Sequence, residues 1–168
     1  MDDAVQRIRP DPLTPEAWAP YGWVPVPDTD PADGDERLAF TWDDVHVNVI
    51  SHRRDEVPEA DGRLRCEVLF RHDSHTQVLM SLDAASVIVV APAGSRPGDA
   101  DDPPGLRAFL LPPLTAVVLH RGTWHWGPYP VTADAVNLFN VQGLRYREDN
   151  HRVDLAAAGA AVDVQLDG

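Results

Sequence analysis

With 168 residues, the chain has the length of one domain that can bury a core without disulfides, and its single cysteine, Cys66, has no intramolecular partner. A formal charge of −13 argues against nucleic acid, whose phosphates require a basic surface. No apolar run approaches the roughly 20 residues that cross a bilayer. The polar start, with Asp2, Asp3, Arg7 and Arg9, does not read as a signal peptide, so one cytoplasmic domain over residues 1–168 is expected, with no membrane partner. All 14 Lys-or-Arg side chains are Arg. The missing lysine excludes lysine Schiff-base or general-base chemistry and leaves anion recognition to Arg, His and backbone N–H groups.

Leu13 to Trp18 carries the best helix signal: Thr14 as cap, Pro15 at the first helical position, Glu16 in the first turn, and Pro20 with Gly22 as stops. Acidic segments at Asp28–Glu36 and Asp99–Asp102 read as solvated loops. The remainder reads as strands. Val45, Val47 and Val49 alternate with His46, Asn48 and Ile50; Cys66–Phe70, Thr76–Leu82, Ala108–Leu111, Ala116–His120 and Ala135–Val141 are further strands. Ser86–Ala91 is a continuous run of strand formers, suited to burial on both faces. Sixteen prolines and eleven glycines between short strands point to an all-β barrel or sandwich. Residues 153–168 are undecided between an edge strand, a loose helix and a mobile tail.

Four of the seven histidines form two groups, His72 with His75 and His120 with His125. Alternation places His75 and Gln77 on one strand face, where polar groups must be paired or must meet a ligand. Gly122 permits a sharp turn that would aim His120 and His125 into one space, walled by Trp124 and Trp126. An imidazole can act as acid or base near neutrality, so His120 and His125 are the catalytic candidates. Arg71 or Arg121 would anchor a carboxylate, and Gln77 would bind an amide or carbonyl. The plainer readings are a strand-end cap for His72 and surface ion pairs for the two arginines. His46, His52 and His151 lie outside both groups and receive no role, although His46 could face the interior with Asn48.

Gly122-x-x-His125 resembles the second cupin motif, and His75-x-Gln77 resembles a degenerate first one. A narrower resemblance is to the bacterial ureidoglycolate lyases. It runs in order through Leu13–Gly22, Arg71-His72-Asp73-Ser74-His75-Thr76-Gln77, Leu106-Arg107-Ala108-Phe109 and Leu119-His120-Arg121-Gly122-Thr123-Trp124-His125. This resemblance implies a cupin-like barrel (a double-stranded β-helix) with a short N-terminal helix, usually a homodimer. It also implies cleavage of ureidoglycolate, a small anionic metabolite of allantoin degradation in purine catabolism, to glyoxylate and urea. Trp124 joins Arg71, Gln77 and Arg121 as substrate-binding candidates. Three positions depart from the family pattern: Phe70 stands where Glu is usual, His75 where a small residue is usual, and Gln142-Gly143 where an Asp-Arg pair is usual. The elimination requires no cofactor. The alternative is a metal-dependent cupin holding Fe, Mn, Ni or Zn through His72, His75 and His125 and acting on another small carboxylate. A non-catalytic module that binds a small acid is the third reading. His72 and His75 could share an ion only if the chain bends between them.

Overall fold

The computed structural model describes residues 5–27, 31, 38–41, 44–99 and 105–166. Most of both acidic segments therefore lies outside the described residues. Strands run in the order β1 (Gln6–Ile8), β2 (Pro10–Pro12), β3 (Gly22–Trp23), β4 (Val45–Arg53), β5 (Glu59–Ala60), β6 (Arg63–Cys66), β7 (Val68–Arg71) and β8 (Gln77–Ser81). They continue as β9 (Ser86–Ala91), β10 (Arg107–Leu111), β11 (Ala116–Leu119), β12 (Trp124–Pro130), β13 (Ala135–Gly143), β14 (His151–Asp154) and β15 (Val162–Gln165). A single α-helical turn, α1 (Pro15–Trp18), sits between β2 and β3. Thr14 caps it by accepting a hydrogen bond from the Ala17 N–H, as its sequence predicts.

The strands form a six-stranded sheet in the order β14-β7-β12-β9-β10-β2, a five-stranded sheet β3-β11-β8-β13-β4 and a four-stranded sheet β1-β15-β6-β5. The fold is the expected all-β, cupin-like one. The six-stranded sheet is the middle layer. On one face Ile88, Val90, Phe109 and Leu111 pack against Leu79, Val117 and Leu119 of the five-stranded sheet. On the other, Val87, Val89, Ala108, Trp124 and Trp126 pack against Leu64, Cys66, Val162 and Val164 of the four-stranded sheet. Every residue of β9 is buried for this reason. The tail resolves into β15, whose Val162 and Val164 are core residues, while β14 pairs with β7.

One end of the space between the six- and five-stranded sheets is closed by aromatic packing. Trp18 and Phe109 meet edge to face with ring centroids 5.2 Å apart, and Tyr21 lies 5.7 Å from each. The Trp18 Nε1–H donates to the Val118 carbonyl at 3.0 Å, so the buried indole has its hydrogen bond. Gly22 makes the crossing of β3 over β11 possible, because a Cβ there would stand 1.7 Å from the Val118 carbonyl oxygen. Gly22→Ala is expected to destabilise the protein by about 3 kcal/mol through overpacking, read as a lower urea midpoint.

Candidate functional site

The opposite end of the same space is a pocket of about 260 Å³ lined by Asn48, Ile50 and His52 of β4, Gln77 and Leu79 of β8, and Gln142 of β13. From the facing sheet come Phe70, His72, His125, Trp126, Gly127 and Tyr129, with Tyr146 and Asn150 from the segment after β13. Strand alternation sets which side chains arrive. On β12, Trp124 and Trp126 belong to the outer core and His125 between them faces the pocket. On β4 the valines point outward, with Val47 at 55% and Val49 at 59% exposure, while His46, Asn48, Ile50 and His52 point inward. The apolar half of that strand is thus the solvent half.

Three imidazoles reach the pocket with the same tautomer. The Nδ1 of His52 lies 2.7 Å from the Pro128 carbonyl, that of His72 lies 2.8 Å from the Asp149 carbonyl, and that of His125 lies 3.3 Å from the Thr123 carbonyl. A carbonyl only accepts, so each Nδ1 carries a proton, and in the neutral form of each ring the lone pair is on Nε2. Burial holds the His125 pKa down at about 3, with the neighbouring His72 adding to the effect. His72 is also lowered, again chiefly by burial. Burial raises the Tyr129 phenol to about 12, so it keeps its proton. Beneath the rings, Gln77 Nε2 donates to Asn140 Oδ1 at 2.8 Å and Asn140 Nδ2 donates to Asn48 Oδ1 at 2.8 Å. This amide ladder leaves Gln77 Oε1 buried without a partner.

Of the candidate site residues read from the sequence, His72, Gln77 and His125 line this pocket, and so does Trp126, expected as one of its walls. His120 does not: its ring packs 5.4 Å from Trp23, its backbone N–H donates to Tyr21, and burial lowers its pKa. Gly122 does make the turn, at φ 79°. That turn carries the chain from the five-stranded sheet into the six-stranded one, so the two histidines part rather than converge. Arg121 is exposed. Arg71 lies over the Trp124 ring at 4.7 Å and has its Nε 3.1 Å from Asp73 Oδ1. Neither arginine is among the lining residues, and none of those residues is Asp, Glu or Arg. Trp124 is in the outer core, donating its Nε1–H to the Ser95 carbonyl. His75 is buried beside the pocket rather than within its lining, because β8 begins only at Gln77 and strand alternation does not extend back to it.

The sequence reading gave no role to His52 and did not single out Tyr129, Tyr146 or Asn150. For His52 the signal was present, two positions beyond Ile50 on the inward face of β4. Tyr146 and Asn150 lie beyond β13, where no periodicity announces them. His46 stacks on Tyr146 with centroids 5.9 Å apart.

A buried imidazole with a depressed pKa links stability to pH. The contribution of His125 is complete above its unfolded pKa of about 6.5 and is lost as pH falls from there toward about 3. Urea midpoints are therefore expected to decline from pH 7.5 to 4.5, and His125→Phe should flatten that decline.

Comparison with known proteins places the chain by sequence. A family model described as ureidoglycolate lyase matches residues 32–163. A ureidoglycolate lyase of Pseudomonas paraeruginosa (strain DSM 24068 / PA7) is 32% identical over 138 residues, covering 72% of this chain and 75% of the relative. Ureidoglycolate lyases of Pseudomonas aeruginosa strains LESB58 and UCBPP-PA14 match with the same identity and coverage. By both measures, the chain belongs to the ureidoglycolate lyase family.

Proposed function

We propose that the pocket cleaves the C–N bond of ureidoglycolate, releasing glyoxylate and urea. The observation that carries this reading is the buried, unpartnered Gln77 Oε1 beside the lone-pair nitrogens of His52, His72 and His125, within a member of this family. Ureidoglycolate bears a hydroxyl, a carboxylate and a urea nitrogen on one carbon. Elimination takes the hydroxyl proton, forms the aldehyde C=O, breaks C–N and returns a proton to the departing nitrogen. The step moves one proton and no net electrons, so it requires no cofactor. His125 is assigned as the base: its Nε2 lone pair is free of the Thr123 contact made by Nδ1, and a substrate carboxylate entering the pocket would raise its proton affinity. Its imidazolium, once formed, can return the proton to the urea nitrogen, since oxygen and nitrogen share the reacting carbon.

Gln77 Oε1 is assigned to accept a urea N–H, which would pair the orphaned acceptor. With Arg71 and Arg121 outside the lining, the carboxylate is assigned to neutral donors at the rim, the amides of Gln142 and Asn150 and the hydroxyl of Tyr146. Such a pocket holds an anion by hydrogen bonds, without a formal positive charge opposite it.

The cytoplasm and the allantoin-degrading arm of purine catabolism are the proposed setting. Among the described residues, no helix is long and apolar enough to cross a membrane. A homodimer is proposed as well, formed on the outer face of the five-stranded sheet. There the exposed Val47 and Val49 pair with Val141 and Phe139, which in turn pair with Val78 and Met80. A continuous apolar sheet face of this kind is costly to leave in water.

Purified protein given racemic ureidoglycolate is expected to release glyoxylate. His125→Ala should lower the rate by about 10²–10⁴-fold, and Gln77→Leu should lower kcat/KM by about 10–100-fold. No release by the folded wild type would overturn the lyase assignment. For the dimer, Val47→Lys should shift the mass measured by light scattering from two chains to one, and a wild-type monomer would refute it.

A further inference from the structure

The pocket is longer than the elimination needs. On β4 its lining runs from Asn48, the last member of the amide ladder that begins at Gln77, to His52, four residues further on and about 13 Å along the strand. The facing strand β12 matches this span, with His125 and Tyr129 both in the lining. Ureidoglycolate has five bonds between a carboxylate oxygen and its distal urea nitrogen, about 6 Å when extended. With the carboxylate at Gln142 and the urea at Gln77, that nitrogen is directed along β4 and stops short of His52.

The His52 end has a construction of its own. Trp126 pairs with Val89 and Tyr129 with Val87, so Gly127 and Pro128 together oppose the single residue Ile88, which makes a β-bulge. Gly127 permits it with φ 86°; a Cβ there would stand 2.9 Å from the Tyr129 nitrogen and 3.0 Å from the Val87 oxygen. The bulge presents the Pro128 carbonyl to the opposite sheet, where the His52 Nδ1–H donates to it at 2.7 Å. The same imidazole stacks on Tyr129 with centroids 4.9 Å apart and planes 24° apart, and Tyr129 in turn packs 4.6 Å from Trp126. His52 is thus held by a hydrogen bond and by a ring face. In its neutral form Nε2 carries an acceptor lone pair, and Ile50 and Trp126 line the pocket beside it. Of the three imidazoles in the lining, His52 is the one to which the elimination gives no task.

We propose that the His52 end of the pocket is a second binding subsite, for a planar amide-type group carried on the distal nitrogen of the substrate's urea. Aromatic faces and an aliphatic side chain favour a flat group, and an acceptor nitrogen among them selects one that bears an N–H. The substrate class widens from ureidoglycolate to ureido acids acylated or carbamoylated on that nitrogen, with a substituted urea as the leaving group. The bonds made and broken are unchanged: the hydroxyl proton passes to the departing nitrogen as the C–N bond breaks and the aldehyde forms. The placement of carboxylate and urea rests on the lyase reading, whereas the subsite is tested by binding alone.

The test uses urea, acetylurea and biuret as probes of the intact chain without substrate, with affinities read from imidazole resonances in NMR titrations. Acetylurea adds a planar acyl group to urea, and biuret adds a planar group that ends in N–H donors. Biuret is expected to bind about 10-fold more tightly than urea, the worth of about one buried hydrogen bond, with acetylurea between them. Biuret, and not urea, should shift the His52 resonances. His52→Phe keeps an aromatic ring against Tyr129 and removes the acceptor, so it should bring biuret down to the affinity of acetylurea. His52→Gln, whose amide oxygen accepts, should restore part of the preference. If His52→Phe is unfolded by circular dichroism, His52→Leu serves with the same readouts. Wild type that binds biuret no more tightly than urea would overturn the proposal, as would a folded His52→Phe that keeps the full preference. Either result can stand beside glyoxylate release from ureidoglycolate. A wild type that prefers biuret but releases no glyoxylate would support the subsite and sink the lyase reading alone.

Discussion

Burial of β9 on both faces is the constraint from which the rest follows. A run of six buried residues, Ser86–Ala91, cannot lie at the surface of a sheet, so it demands a layer above and a layer below. The five-stranded sheet covers one side and the four-stranded sheet the other. Once β9 is central, its neighbour β12 inherits the same two environments. Its large apolar side chains, Trp124 and Trp126, serve the outer core, and the residue between them must face inward. That residue is His125, and its desolvation follows from the position of β9 two layers deep.

The pocket is therefore an interruption in an otherwise apolar interior, and its polar groups carry the cost of that setting. The structure meets the cost by pairing nearly everything. Three Nδ1–H groups are directed to carbonyls, and the Gln77–Asn140–Asn48 amide ladder crosses three adjacent strands. Two of the buried atoms left unpaired among the described residues are informative for the same reason: Gln77 Oε1 at the pocket and His75 Nε2 beside it. Among the described residues, the lining holds no Asp, Glu or Arg although the chain carries −13 overall. In the proposed function, substrate recognition depends on oriented neutral dipoles, whose effect is strongest where water is excluded.

Two departures from the family pattern become one feature in three dimensions. A histidine at 75 and a glycine at 143 look independent in the sequence, yet the ring of one fills the side-chain space of the other. Phe70, where the family usually carries a glutamate, lines the pocket and removes a carboxylate from it.

The sequence by itself determined the elements whose signal is local. Thr14 and Pro15 set the helix, the β-branched run set β9, and the alternation at 45–50 set β4, because each depends on residues within one turn or one strand. The motif order through Arg71–Gln77 and Leu119–His125 was enough to identify the family. Only the tertiary structure decided which face of each strand is inside. The valines of β4 turn outward although alternation alone would bury them, because the inward face must supply Asn48 and His52 to the pocket. Tertiary structure also separated His120 from His125, set Arg71 on Trp124, and brought Asp149 to His72 and His75. Those relations involve residues on different sheets, on strands remote in sequence, or some 75 positions apart, and a distance of that kind leaves no periodic trace along the chain.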